Sequence, residues 1–80
     1  MVVSAYILIQ TEVGQAETVA SQARGLGGVT VSEGVTGPYD VIVKAEAPSI
    51  DELGRMVVSR LGHIEGITRT LTCPVVDLGS

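Results

Sequence analysis

Eighty residues with nine acidic and five basic side chains, a net charge of −4, describe one small acidic domain. The cations Arg24, Lys44, Arg55, Arg60 and Arg69 are scattered, so no basic stripe exists to neutralise phosphates, and direct nucleic-acid binding by this chain is not expected. The longest apolar run, Ala5 to Ile9, is strand-sized and far short of the roughly 18 residues a membrane span needs.

Met1-Val2-Val3-Ser4 leads straight into a strand pattern without the basic start of a signal peptide, which predicts a cytoplasmic protein. The single cysteine, Cys73, has no disulfide partner in the chain and no metal-spacing partner; a buried structural thiol is expected. Hydrophobic residues make up 45% of the chain, yet Trp and Phe are missing. A domain of this size buries only about 60–65% of its unfolded surface. The surplus Val, Ile, Leu and Ala therefore reads as subunit interface.

Val2 to Gln10 reads as the first strand, with Val3, Ala5, Ile7 and Ile9 on one face and Val2, Ser4, Tyr6 and Leu8 on the other. Two apolar faces mark a central strand covered on both sides. A helix follows from about Gln15 to Arg24, where Ala16, Val19, Ala20, Ala23 and Leu26 recur at helical spacing. Gly14 is placed to be its N-cap, Glu17 to favour the positive helix start, and Gly25, Gly27 and Gly28 to end it.

Val29 to Thr36 alternates Val29, Val31 and Val35 against Thr30, Ser32 and Thr36, the pattern of a half-exposed edge strand, with a bulge expected at Gly34. The turn Gly37-Pro38-Tyr39-Asp40 follows; Gly gives backbone freedom, Pro presets φ and Asp bonds nearby backbone. An ordinary hairpin turn and a ligand-holding turn are both open on these residues. The next strand runs from Asp40 to Ala47, with Val41, Val43 and Ala45 on one face and Ile42, Lys44 and Glu46 on the other.

Ser49-Ile50-Asp51-Glu52 is a capping box that opens the second helix. Ile50, Leu53, Val57 and Leu61 form its expected buried stripe, flanked by Met56 and Ile64, with Arg60 in the last turn and Gly62 closing it. The last strand runs from Ile67 to about Val76, with Thr68, Thr70 and Thr72 on one face; Pro74 places it at a sheet edge or ends its pairing there, and Asp77 to Ser80 form a short tail.

The order β-α-β, turn, β-α-β predicts an α+β, ferredoxin-like domain: a four-stranded antiparallel sheet with two helices on one face. The helix-free face, carrying Tyr6, Leu8 and Ile42, then calls for dimerisation through the sheet.

Enzymatic constellations are nearly absent. His63 follows the second helix and reads as a solvent-facing turn residue. No cluster has metal-ligand spacing, no Ser–His–Asp trio can be assembled, and no cofactor is expected. Gly25-Leu26-Gly27-Gly28 follows a helix where a phosphate loop would open one. The threonine row fits a solvated or interface strand, or hydroxyls near a subunit boundary that bind a ligand.

Val35-Thr36-Gly37-Pro38-Tyr39-Asp40-Val41-Ile42-Val43, followed by Gly66-Ile67-Thr68-Arg69-Thr70-Leu71-Thr72, resembles the effector-binding (RAM) domain of the Lrp/AsnC (leucine-responsive, feast/famine) transcription regulators. In that family a Gly-x-x-Asp-like turn joins strands two and three, and a Gly-Val-x-x-Thr-x-Thr-like segment opens strand four. The resemblance spans essentially the whole chain. It implies a homo-oligomer, dimers assembling into tetramers, octamers or larger rings, with a small effector, typically an amino acid, bound between dimers. By the same resemblance Gly37, Tyr39 and Asp40 lie on the effector turn and Thr70 and Thr72 match the strand-four threonines. Backbone N–H near Gly37 would take the ligand carboxylate, Asp40 its ammonium, and the threonine hydroxyls would complete the shell.

Family regulators carry an N-terminal helix-turn-helix, and residues 1–80 begin at the first strand, so a stand-alone effector domain is expected, acting through another protein or co-assembling with full-length Lrp/AsnC regulators. Two other readings stay open: a ligand-free oligomerisation module, and a small dimeric α+β barrel enzyme, which a His- or aromatic-rich cavity would mark. The ACT domain, another amino-acid-binding ferredoxin-like fold, is a structural neighbour that Gly14 keeps open.

Overall fold

The computed structural model describes residues 2–76. Its elements are β1 (Val3–Thr11), α1 (Ala16–Arg24), β2 (Val29–Gly34), β3 (Val41–Ala47), α2 (Ile50–Ser59), a short 3-10 turn (Leu61–His63) and β4 (Ile67–Pro74). The strands form one antiparallel sheet in the order β2-β3-β1-β4. The apolar β1 and β3 are central, and the more polar β2 and β4 are the edges, where Pro74 is tolerated for want of a further partner.

Side-chain alternation sorts the sheet into two layers. Ala5, Ile7 and Ile9 of β1 stand in register with Ala45, Val43 and Val41 of β3. All six are fully buried against Val19, Ala20 and Ala23 of α1 and Leu53, Met56 and Leu61 from the α2 region. Each buried Val, Leu or Ile contributes about 1.5–3 kcal/mol relative to exposure. The opposite face carries Tyr6, Leu8 and Ile42, with Leu71 beside Leu8 and Cys73 beside Tyr6. Tyr6 remains 44% exposed and Leu71 45%, while the Lys44 ammonium lies 5.6 Å from the Tyr6 ring centroid.

Several local expectations are corrected. The N-cap of α1 is Gln15, which makes no side-chain cap bond; Gly14, at φ +81°, turns the chain just before it. The irregularity in β2 lies between Val29 and Val31, not at Gly34, and the strand stops at Gly34. That extra residue puts Val29 and Ser32 opposite Ala45 and Val43 on the helix side and turns Val31 and Glu33 to the open face, so a simple alternation fails.

In α2 the Ser49 hydroxyl accepts the Glu52 N–H at 3.2 Å, one of the two bonds of a capping box. Ile50, however, is 53% exposed and Met56 is buried in its place. The helix stops at Ser59, Arg60 is its C-cap, and Gly62 lies inside the 3-10 turn. Cys73 is exposed because it stands on the open face of an edge strand. The tail from Asp77 to Ser80 lies outside the described residues.

Candidate functional site

The turn between β2 and β3 is fastened to the end of β1. Within it the Val35 N–H donates to the Asp40 carbonyl at 2.9 Å, and the Asp40 N–H donates to the Ile9 carbonyl at 2.8 Å. The Asp40 carboxylate accepts the Thr11 N–H through Oδ2 at 2.8 Å, and the Gln10 amide donates to the Pro38 carbonyl at 3.0 Å. Asp40 thus supplies an acceptor where β1 leaves the sheet and its N–H groups lose strand partners. Gly37, at φ +149°, occupies backbone space closed to most side-chain-bearing residues, and a Cβ there would meet nothing within 4 Å. The glycine serves the backbone path, and the tip beside it is open.

The same end of the molecule collects the start of β4. Glu12 N–H donates to the Gly66 carbonyl at 2.7 Å, and Thr70 stands opposite Ile9, the residue that also accepts from Asp40. Thr72 stands opposite Ile7. Both threonines therefore point to the helix side of the sheet, where Thr70 is half-buried and Thr72 exposed. Asp40 and Thr70 are separated by β1, two strand spacings or about 10 Å.

Of the five residues expected to form a site, Asp40 lines an appreciable depression. This open groove, about 950 Å³, runs between α1 and the β2–β3 turn past Ala16, Ala20, Arg24, Val35 and Thr36. Tyr39 is half-buried at the turn. One chain brings Gly37, Tyr39 and Asp40 together and leaves Thr70 and Thr72 across β1. Arg24 and Ser32 were not anticipated: the Arg24 guanidinium donates to the Ser32 carbonyl at 2.7 Å, and the buried Ser32 hydroxyl donates to the Ala20 carbonyl at 2.7 Å. These bonds fix one wall of the groove. The signal in the sequence was a lone Ser in a valine-rich strand, which alternation assigned correctly to a face only once the bulge was placed.

A second groove of about 350 Å³ lies between α2 and the Gly27 turn, lined by Glu46, Glu52, Arg55 and Arg60 among others. His63 is exposed, and the described residues hold no group of three or more His, Cys, Asp or Glu side chains arranged for a metal ion. No helix among them is long and apolar enough to cross a membrane.

A βαββαβ order with a four-stranded antiparallel sheet, helices packed on one face and the other face open, defines a ferredoxin-like domain. Residues 4–77 match the model of the Lrp/AsnC ligand binding domain, and the chain belongs to that family. It is 33% identical over 72 residues to an uncharacterized HTH-type transcriptional regulator of Pyrococcus horikoshii, a match that takes in 86% of this chain and 48% of the relative. The chain thus spans about half the length of the curated relatives it matches. Among solved structures it superposes on AsnC of E. coli with a TM-score of 0.86 at 25% identity, covering 94% of this chain and 51% of that one. It shares the fold of a Neisseria meningitidis transcriptional regulator solved as its L-Met complex, with a TM-score of 0.82 at 18% identity, covering 95% and 51%.

Proposed function

We propose that this chain is a cytoplasmic, non-enzymatic effector-binding and assembly module of the Lrp/AsnC type, and that its effector is an amino acid. The observation that carries the reading is the turn from Val35 to Asp40, held to β1 by hydrogen bonds from both its backbone and its carboxylate while its Gly37 tip stays open. A preorganised turn presents N–H groups and a carboxylate without paying to order them on binding. The backbone beside Gly37 receives the ligand carboxylate. Asp40 Oδ2 is engaged by Thr11, so Oδ1 is the atom that faces the ammonium.

Tyr39 borders the same turn, and Thr70 and Thr72 complete the shell from a neighbouring subunit. Their distance from the turn within one chain favours that arrangement. Subunits associate through the open sheet face, where Tyr6, Leu8, Ile42 and Leu71 form a continuous apolar surface suited to a second copy or to a full-length relative.

A second reading, an assembly module without ligand, is favoured by one observation: the Asp40 carboxylate already has structural work at Thr11. Thermal unfolding against the twenty amino acids, with molar mass from light scattering on the same samples, separates the two. Binding to the native state raises the melting temperature as RT ln(1 + [L]/Kd). A selective rise supports the effector reading; a stable oligomer with no shift at millimolar concentration replaces it with the second.

A further inference from the structure

The groove between α1 and the β2–β3 turn has two electrically different ends. Ala16, Ala20 and Arg24, on one stripe of α1, line it, with Glu17 beside the first of them. Helix α1 starts at the end of the sheet where Asp40 is tied to Ile9 and Thr11, so Glu17 and Asp40 share one end of the groove. Arg24 is two helical turns further on, about 10 Å along the axis from Glu17. A base in the last turn of a helix complements the negative helix end and needs no ligand. The Arg24 guanidinium, however, is drawn across to the neighbouring strand, where Nη2 donates to the Ser32 carbonyl at 2.7 Å. The buried Ser32 hydroxyl ties that strand to Ala20 in turn. With one nitrogen anchored, the rest of the planar fork needs little further ordering to meet a ligand.

We propose that the effector is an acidic amino acid, aspartate or glutamate, whose side chain lies in this groove with its carboxylate on Arg24. This rests on the effector reading above, in which the α-ammonium meets Asp40 and the α-carboxylate meets the backbone beside Gly37. From there the side chain runs past Ala16, Ala20 and Val35, whose apolar surface suits its methylenes, to the guanidinium. A carboxylate and a guanidinium match in charge and in the spacing of their acceptors and donors.

Length and polarity agree with that class. The Val35 N–H meets the Asp40 carbonyl, and Ser32 lies three residues before Val35, about 10 Å along an extended chain. Glutamate spans about 6 Å from its nitrogen to its side-chain carboxylate oxygen. A hydrogen bond of about 2.8 Å at each end brings its reach to roughly 11–12 Å, and aspartate falls about 1 Å short of that. An apolar side chain would leave the guanidinium without a partner, and a lysine or arginine side chain would bring a second cation against it. Glu17 sets the direction: it adds to the hold on an ammonium at the Asp40 end and repels a carboxylate turned the wrong way.

The test is isothermal titration calorimetry of the whole chain with each acid against its amide, glutamate with glutamine and aspartate with asparagine, pairs alike in shape and different in charge. Leucine is the apolar control. In at least one pair the wild type is expected to bind the acid roughly tenfold tighter than the amide. Arg24→Ala is expected to abolish that preference by weakening the acid, with the amide changed by less than about threefold. Arg24→Lys keeps a cation within reach of the Ser32 carbonyl and is expected to retain part of the preference. Added salt is expected to narrow the wild-type gap, because the groove is open to solvent. The wild-type comparison needs no variant and so stands even if Arg24→Ala folds poorly. Equal binding of acid and amide in both pairs, or a preference undiminished in a folded Arg24→Ala, overturns the proposal. If an amide or leucine binds tightest, the effector reading stands and the acidic class falls. If no amino acid binds, the effector reading falls and takes this inference with it.

Discussion

Replacing Asp40 tests whether its carboxylate is structural, ligand-binding or both. Its Oδ2 accepts the part-buried Thr11 N–H at 2.8 Å, across 29 residues of sequence. A hydrogen bond to a charged acceptor is worth about 1.5–3 kcal/mol net. Thr11 stands at the rim, where water replaces part of the loss, so the low end of that range applies. Asp40→Ala is therefore expected to destabilise the fold by about 1.5 kcal/mol, or roughly 6–12 °C in melting temperature for a domain of this size. The Asp40 N–H to Ile9 bond survives the change, so the turn keeps its backbone anchor.

Asp40→Asn retains an oxygen acceptor for Thr11 and is expected to lose about 0.5 kcal/mol, the difference between a charge-assisted and a neutral bond. Both variants remove the negative charge that an ammonium requires. Urea unfolding followed by far-UV circular dichroism measures the stability arm, at one fixed protomer concentration because assembly adds to apparent stability. Amino-acid-induced thermal shifts measure the binding arm. Asp40→Asn that folds like the wild type and still binds an amino acid with unchanged affinity would falsify the ammonium role. Asp40→Ala with an unchanged urea midpoint would refute the structural one.

Other positions give sharper mechanical tests. Gly28 has φ +93° and a Cβ there would lie 2.9 Å from the Glu46 carbonyl oxygen, while Glu46 N–H donates to the Gly28 carbonyl at 2.7 Å. Gly28→Ala is expected to cost about 2–3 kcal/mol, against about 1 kcal/mol for Gly14→Ala, where φ is +81° but space is open; equal urea midpoints for the two would reject the steric argument. Ser32→Ala removes the buried hydroxyl from the Ala20 carbonyl and should cost about 1 kcal/mol, with faster amide exchange in α1 than in α2. Ile42→Glu places a carboxylate on the open face and should yield monomers by light scattering while the circular dichroism spectrum is kept; a dimer of wild-type mass would show that this face is not the interface.

The architecture was legible because each element carries a redundant signal. Six of the apolar side chains at alternate positions in β1 and β3 form the sheet's buried layer, and a serine cap with a glutamate three residues on does open α2. What the sequence concealed were single-residue shifts. One unpaired residue near Thr30 reverses the rest of β2, and nothing in Val29-Thr30-Val31-Ser32 distinguishes the bulged register from the regular one. Ile50 and Met56 both fit an apolar stripe; Ile50 in the first turn stays exposed, and the longer, more adaptable Met56 is buried in the core. The candidate site was legible only as a turn. That Asp40 would reach Thr11, and that β1 would stand between Asp40 and Thr70, depends on pairing between segments far apart in sequence.

The separation of those residues bears on how the domain would couple ligand to assembly. Groups that met inside one chain would bind an effector in the monomer, and the ligand would not discriminate between association states. In the proposed arrangement, groups divided between the turn and an edge strand would bind fully only when two chains supplied them, so the ligand's affinity would differ between states and the assembly equilibrium would shift with it. The anchoring of the turn strengthens that coupling. A loop that ordered on binding would absorb part of the ligand's free energy locally. A turn already tied to Ile9 and Thr11 leaves more of it for the contact between subunits.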